Sequence, residues 1–163
     1  YILCYFLGNN PPHRDFASRL KKETGCKIVA LTHLDEFVKS DEGYADETPY
    51  DIDPADFLNL IRNAEYVCTD SFHCSVFSIL YKREFYTFRR YNRNTRQSTN
   101  SRLDTLFNLA GIKGRLLTGN EKIEDCLRIN TDFDAAHRKL AEVRWQSYEY
   151  LRNALQDEGS TDL

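Results

Sequence analysis

Four short, mainly apolar runs punctuate this chain: Tyr1–Leu7, Lys27–Leu31, Tyr66–Thr69 and Glu84–Phe88. None alternates polar with apolar residues, so each reads as a strand covered on both faces rather than one facing water. The segments between them are long enough for helices. Strands alternating with helices in this way predict a parallel sheet.

The punctuation supports that reading. Gly8-Asn9-Asn10 breaks the first run, and Asn10 with Pro11 and Pro12 opens a helix. Phe16, Ala17 and Leu20 fall on its buried face, and Gly25 closes it. Asp53 caps a second helix with Pro54 at its first position and a stripe of Phe57, Leu58 and Ile61. Cys74 to Leu80 is small or apolar nearly all round, as expected of a short helix between layers. Asn100 or Ser101 caps a helix with a face of Leu103, Leu106, Phe107 and Ala110, ended by Gly111. A last long helix starts near Thr131, which has capping-box spacing to Asp134. Its apolar stripe is Ala136, Leu140, Val143, Tyr150 and Leu155. Residues 34–51 read as an acidic loop with at most one short helix. The expected fold is α/β, a Rossmann-like doubly wound parallel sheet over residues 1–156, with a frayed tail at 157–163.

Charge narrows the function. A formal net charge of -3 argues against a general nucleic-acid binder. Acids crowd the segment from Asp35 to Asp56, where Lys39 is the one base. From Arg89 to Arg102 there are five arginines and no acid. That cluster is either a receptor for a small anion or a solvated basic loop. The five cysteines are odd in number and form no C-x-x-C pair, so free buried thiols in a reducing compartment are expected. No apolar run reaches the roughly 18 residues of a membrane span. The expected location is the cytoplasm, with or without association with the inner face of the membrane. The chain opens directly on a strand and lacks an initiator Met, so a preceding part of the protein is expected.

In an open parallel sheet, ligands bind where strands turn into helices. The turns at Gly8, at Asp70-Ser71-Phe72-His73 and at Arg89-Arg90 suit an anion. Gly8 permits close backbone approach, the helix after His73 offers unpaired amides, and Ser71 and Ser75 offer hydroxyls. His73 would donate a hydrogen bond or a proton to such a ligand, or else satisfy a buried carbonyl. Asp70 would orient His73 or form the turn, and the turn former is the commoner role. Cys74 reads as a small residue in a tight turn rather than a nucleophile. His13, His33 and His137 read as surface residues. No metal-ligand spacing is visible, and neither metal nor cofactor is expected.

The stretch from Ala64 to Ser78, AEYVCTDSFHCSVFS, resembles the signature turn of polysaccharide pyruvyl transferases. So do Tyr5-Phe6-Leu7-Gly8, the Asp53-Pro54 helix start, and Asn100-Ser101-Arg102-Leu103 leading to Gly111. The motifs occur in the family's order across most of the chain, which would form the C-terminal lobe of such an enzyme. The resemblance implies a GT-B-like, two-lobed fold in which this lobe holds phosphoenolpyruvate. A missing N-terminal lobe would contribute most of the site for a glycan or lipid-linked sugar acceptor. Pyruvate would be added as a ketal across two sugar hydroxyls. His73 matches the family's signature histidine, and Arg102 the arginine of its Asn-Ser-Arg element.

Ser71 stands where many members have Arg, and Cys74 where they have Gly. Arg89 or Arg90 is expected to supply the absent charge. Two rivals remain: a nucleotide-sugar glycosyltransferase donor lobe, and a non-catalytic flavodoxin-like or receiver-like module.

Overall fold

The computed structural model describes residues 1–90 and 100–157 of the 163. Five strands form one sheet in the order β2-β1-β3-β4-β5, every pair parallel. They are β1 (Ile2–Tyr5), β2 (Ile28–Leu31), β3 (Tyr66–Thr69), β4 (Glu84–Phe88) and β5 (Leu116–Leu117). The helices are α1 (Pro11–Thr24), α2 (Pro54–Asn63), α3 (Phe72–Leu80), α4 (Asn100–Ala110), α5 (Ile123–Leu127) and α6 (Phe133–Asp157). The doubly wound Rossmann-like sheet read from the sequence is therefore present.

Alternation along each strand divides the core into two layers. Ile2, Cys4 and Phe6 pack with Phe16, Ala17 and Leu20 of α1 and with Ile123 and Cys126 of α5. Leu3, Val67 and Phe85 point the other way, into a layer with Ile61, Ile79, Leu103, Phe107 and Ala136. Apolar residues cover both faces, which is why the strands lack polar alternation.

The helix boundaries follow from side-chain chemistry. The Asp53 carboxylate accepts from the Asp56 amide at 2.7 Å, and Pro54 follows as the first helical residue. Gly25 adopts φ 72° and donates its amide to the Lys21 carbonyl, a left-handed stop that side chains disfavour. Ser71 caps α3, so that helix begins at Phe72 and includes His73, rather than starting after it. The cap of α6 is Asp132, which accepts from the Ala135 amide at 2.9 Å, and not Thr131. Thr131 instead accepts from Arg115. The N-cap of α4 and the arginines at 93 and 96 lie outside the described residues, as does residue 158 onward of the expected tail.

Two elements escape the sequence pattern, β5 and α5. Helix α5 is placed by Ile123 and Cys126 packing with α1, and β5 follows directly on Arg115, which is 1% exposed. Its guanidinium bonds Glu84 and the Ile129 carbonyl, reaches the Phe85 carbonyl at 3.2 Å, and lies 5.2 Å over the Tyr86 ring. One buried cation thus ties β4 to the connection between α5 and α6.

The acidic segment contains a single 3₁₀ turn, Lys39–Asp41, and its later part lies along the outer edge of β2. The Ala30 amide donates to the Glu47 carbonyl at 2.9 Å, and Asp46 accepts from the Ile28 amide at 2.7 Å. Helix α6 packs only through its first turns. Ala136 is buried and His137 Nε2 lies 2.8 Å from the Ile79 carbonyl oxygen, but Tyr150 and Leu155 are exposed, contrary to the expected stripe. No described helix is long and apolar enough to cross a membrane.

Candidate functional site

The chain leaves β1 toward β2 on one side and later returns to β3 on the other. This makes the β1–β3 junction the topological switch point, where the carboxyl ends of strands open a crevice. Tyr5 and Thr69 are register partners at that edge. Beyond them Asp70 crosses back to β1, accepting from the amides of Leu7 at 2.7 Å and Gly8 at 3.0 Å. Its carboxylate is fully buried, and Arg90 Nη2 donates to the Asp70 carbonyl at 3.1 Å. Asp70 therefore fixes the β1 turn rather than orienting His73.

A cavity of about 800 Å³ opens beside this junction. Its walls include Phe6 and Leu7 after β1, His33 to Glu36 after β2, Tyr50 and Ile52, Asp53 and Phe57 of α2, and Ser71 and His73 of α3. His73 is exposed on the first turn of α3. The first amides of a helix have no intrahelical partner, and Ser71 Oγ takes up only that of Cys74. The cavity thus combines two histidines, His33 and His73, a helix N-terminus, apolar walls and three acidic residues, Asp35, Glu36 and Asp53.

The expected anion-site residues divide between this cavity and its neighbourhood. Ser71 and His73 line the cavity, whereas Gly8, Ser75, Arg89, Arg90 and Arg102 are not among its walls. Arg102 is exposed, and its guanidinium lies 5.4 Å over the ring of Phe72, which itself meets the His73 ring edge-on at 5.7 Å. Arg90 packs against Gly8, where an added Cβ would sit 2.9 Å from Arg90 Cγ. Arg89 forms a two-pronged pair with Asp104 at 2.6 and 3.0 Å, so its charge already has a carboxylate partner. Ser75 is fully buried, its hydroxyl 2.8 Å from both the Ser71 carbonyl and Thr87 Oγ1. Its part is to hold the cap residue in place. Burial raises the Cys74 thiol pKa to about 12, which suits a packed small residue and not a nucleophile.

All three histidines expected at the surface depart from that role: His137 is half-buried against the Ile79 carbonyl, and His13 and His33 are held nearer the site. His13 is 2% exposed, stacked on Phe88 at 4.8 Å, and desolvation lowers its pKa to about 4. It is neutral at pH 7, so its 4.0 Å approach to Asp70 is a contact and not an ion pair. His33 is held by Asp41, with Nδ1 and Oδ2 2.7 Å apart, and Asp41 is held in turn by Arg14 at 2.6 Å. Burial raises the Asp41 carboxyl pKa, but hydrogen bonds from His33 and Arg14 outweigh it and keep it below the usual value. Asp41 lies in the 3₁₀ turn, with Arg14 of α1 behind it, and no local spacing announces either. Among the described residues no cluster of three or more metal-ligating side chains occurs.

No curated protein matches the chain, nor does any solved structure. The family model for polysaccharide pyruvyl transferase matches residues 1–92, from β1 through the switch-point crevice and β4. That match takes in 92 of 163 residues, including the His73 turn, and the chain belongs to the polysaccharide pyruvyl transferase family.

Proposed function

We propose that this chain is the donor-binding lobe of a GT-B-like enzyme that transfers pyruvate from phosphoenolpyruvate, as a ketal, to a sugar of a glycan. The observation that carries the reading is His73. It is exposed on the first turn of α3, lines the switch-point cavity, and shares the Phe72 ring with Arg102. Phosphoenolpyruvate carries a phosphate and a carboxylate. The α3 N-terminus suits one of these and a guanidinium fork the other. Arg102 and Arg90 are the arginines assigned to the donor, with Gly8 giving the backbone close approach. Arg89, paired to Asp104, contributes by shaping the loop.

In this mechanism a proton is delivered to the methylene carbon of the donor, which makes its C2 electrophilic. Two sugar hydroxyls add to C2 in turn, and the bond from C2 to the phosphate ester oxygen breaks. One hydroxyl proton replaces the one given to the methylene carbon, and the other leaves with the phosphate. His73 is placed to be the acid or to anchor the phosphate. Acid catalysis of this kind contributes roughly 10²–10⁴-fold. The acceptor is a glycan or lipid-linked sugar met largely by a second lobe. The five free cysteines fit a reducing compartment, and the cytoplasm is the proposed location.

Asp35, Glu36 and Asp53 around the cavity favour one other reading, since carboxylates also bind the ribose hydroxyls of a nucleotide sugar. The two are separated by incubating the full-length protein with a glycan panel and either donor. Phosphate release and a pyruvyl ketal on the product are expected with phosphoenolpyruvate. Sugar transfer from a nucleotide donor, with phosphoenolpyruvate left intact, would sink the proposal.

A further inference from the structure

We propose that the cavity is the subsite for a neutral acceptor sugar, so that this lobe holds the sugar as well as the donor and His73 stands at the border between them. The assignment to an acceptor rests on the transferase reading above.

Charge divides the surroundings of His73. Among the described residues that line the cavity there is no Lys or Arg, whereas Asp35, Glu36 and Asp53 all line it. The guanidinium groups lie elsewhere, that of Arg102 over the Phe72 ring at 5.4 Å and that of Arg90 on the Asp70 carbonyl at 3.1 Å. A donor with both a phosphate and a carboxylate is drawn to those arginines and to the first turn of α3, and is repelled by acidic walls. A neutral polyol meets no such repulsion. Size points the same way. About 800 Å³ lies in the range of pockets that enclose drug-sized ligands, and phosphoenolpyruvate would leave most of it unfilled.

The walls suit a sugar ring. Tyr5 and Phe57 meet edge-on at 5.2 Å, and Leu31, Leu34 and Ile52 extend the apolar lining. Tyr50 and Leu34 line the cavity too, yet they are 79% and 73% exposed, so the protein itself leaves them uncovered. A sugar has a face of C–H groups that packs on such surfaces and an edge of hydroxyls that needs acceptors. An ionised carboxylate offers two oxygens and accepts from two neighbouring hydroxyls at once. Asp35 and Glu36 are exposed and bonded to no other described residue, so their oxygens are uncommitted. Asp53 keeps one oxygen on the Asp56 amide, as the cap of α2.

The segment carrying these acids is fixed at its neck, unlike a solvated acidic loop. Asp41 accepts from the His33 amide at 3.2 Å and lies 2.7 Å from His33 Nδ1, and Arg14 bonds the same carboxylate at 2.6 Å. Arg14 also donates to the Gly8 carbonyl at 2.6 Å, which ties that neck to the turn after β1. From the other side, the Glu47 carbonyl takes the Ala30 amide at 2.9 Å, and Pro49 and Tyr50 follow onto the same edge of the sheet. A sugar in the cavity therefore meets, across His73, a donor held on the arginine side. The acids also select against sugars that carry a carboxylate of their own.

The test is made on the full-length protein with two variants, the pair Asp35→Asn with Glu36→Gln and the single Tyr50→Ala. All three side chains are exposed, so folding is expected to be retained. The KM for the glycan should rise about 10–100-fold in the pair and roughly 2–10-fold in Tyr50→Ala, with phosphoenolpyruvate affinity unchanged. If the donor occupies the cavity instead, removing two negative charges should tighten phosphoenolpyruvate binding and leave the glycan KM alone. That result overturns the proposal, as does no change in either quantity. Saturation-transfer NMR with methyl hexosides and methyl hexuronides, with no donor present, reads the subsite without the reaction. Wild type should bind a neutral hexoside better than its hexuronide, and the pair should narrow that preference. Equal binding of the two by wild type overturns the proposal. So does binding of uridine diphosphate glucose that the pair abolishes while hexosides are unaffected, since the acids would then serve a nucleotide ribose. Wild type that leaves phosphoenolpyruvate unconsumed with every glycan would fail the transferase reading, and the NMR comparison would still decide the sugar subsite.

Discussion

Asp70 and Gly8 are 62 residues apart, yet the buried carboxylate of one receives the amide of the other at 3.0 Å. The same carboxylate takes the Leu7 amide at 2.7 Å, so one side chain closes the β1–β3 junction. Asp70→Asn replaces an acceptor oxygen with a donor and leaves one of these amides unmatched. A loss of roughly 2–3 kcal/mol is expected, measured by urea unfolding. Stability within about 0.5 kcal/mol of wild type would mean that the turn holds itself.

Gly8 has a steric reason to lack a side chain. A Cβ there would meet Arg90 Cγ at 2.9 Å and Asp70 Oδ2 at 3.0 Å. Gly8→Ala should therefore cost about 1–3 kcal/mol by pushing apart the strand ends it joins. Donor affinity should fall along with thermal stability, and a variant as stable as wild type would contradict the crowding.

His13 makes folding sensitive to acid. Its folded pKa of about 4 lies below the ordinary 6.5, so between those values the unfolded chain binds the extra proton. Stability from this group is complete above pH 6.5 and is lost as pH falls toward 4, by roughly 3 kcal/mol in all. His13→Gln should flatten that part of a stability-against-pH curve. An unaltered slope would show that other groups set it.

Arg115 carries a second sequence-distant tie. Arg115→Met should cost about 3–5 kcal/mol, since Glu84, the Phe85 and Ile129 carbonyls and Thr131 all lose their donor. Hydrogen exchange should then rise first around residues 112–132. Uniform protection across that region would place the anchor elsewhere.

His73→Ala and Arg102→Ala separate chemistry from binding. Both side chains are exposed, so neither variant should lower the melting temperature measurably. His73→Ala should reduce turnover roughly 10²–10⁴-fold. Arg102→Ala should weaken phosphoenolpyruvate binding by about 1.5–3 kcal/mol, read by calorimetry. Normal turnover in the first variant would remove His73 from the mechanism.

The sequence disclosed those parts of the fold whose signals are local. Pro11, Gly25, Asp53, Pro54 and Gly111 mark helix ends by backbone chemistry that holds in any context. The strands β1 to β4 carry enough apolar residues to stand out. Strand β5 has two residues, and α5 spans Ile123–Leu127, too short for any periodicity to build up. What places them is distant in sequence: α1 under Ile123 and Cys126 of α5, and beside β5 the side chain of Arg115, whose acceptors are scattered over residues 84–131. The site divides in the same way. The position of His73, at a strand end where a helix begins, was legible from the turn that holds it. His33 sits beside Asp35 and Glu36 and reads as surface, because the Asp41 and Arg14 contacts that define it exist only after folding. His13 misled for the same reason: polar neighbours in sequence conceal a ring stacked on Phe88.

Trp145, on the far half of α6, is the only tryptophan and is 63% exposed, stacked on Tyr148 at 6.0 Å. Its fluorescence therefore monitors the projecting end of one helix and not the sheet. Melting followed at the tryptophan emission band should report fraying of that end, at temperatures where circular dichroism still sees an intact core. The same indole becomes a built-in probe of whatever settles on that face, shifting to the blue on contact without any label.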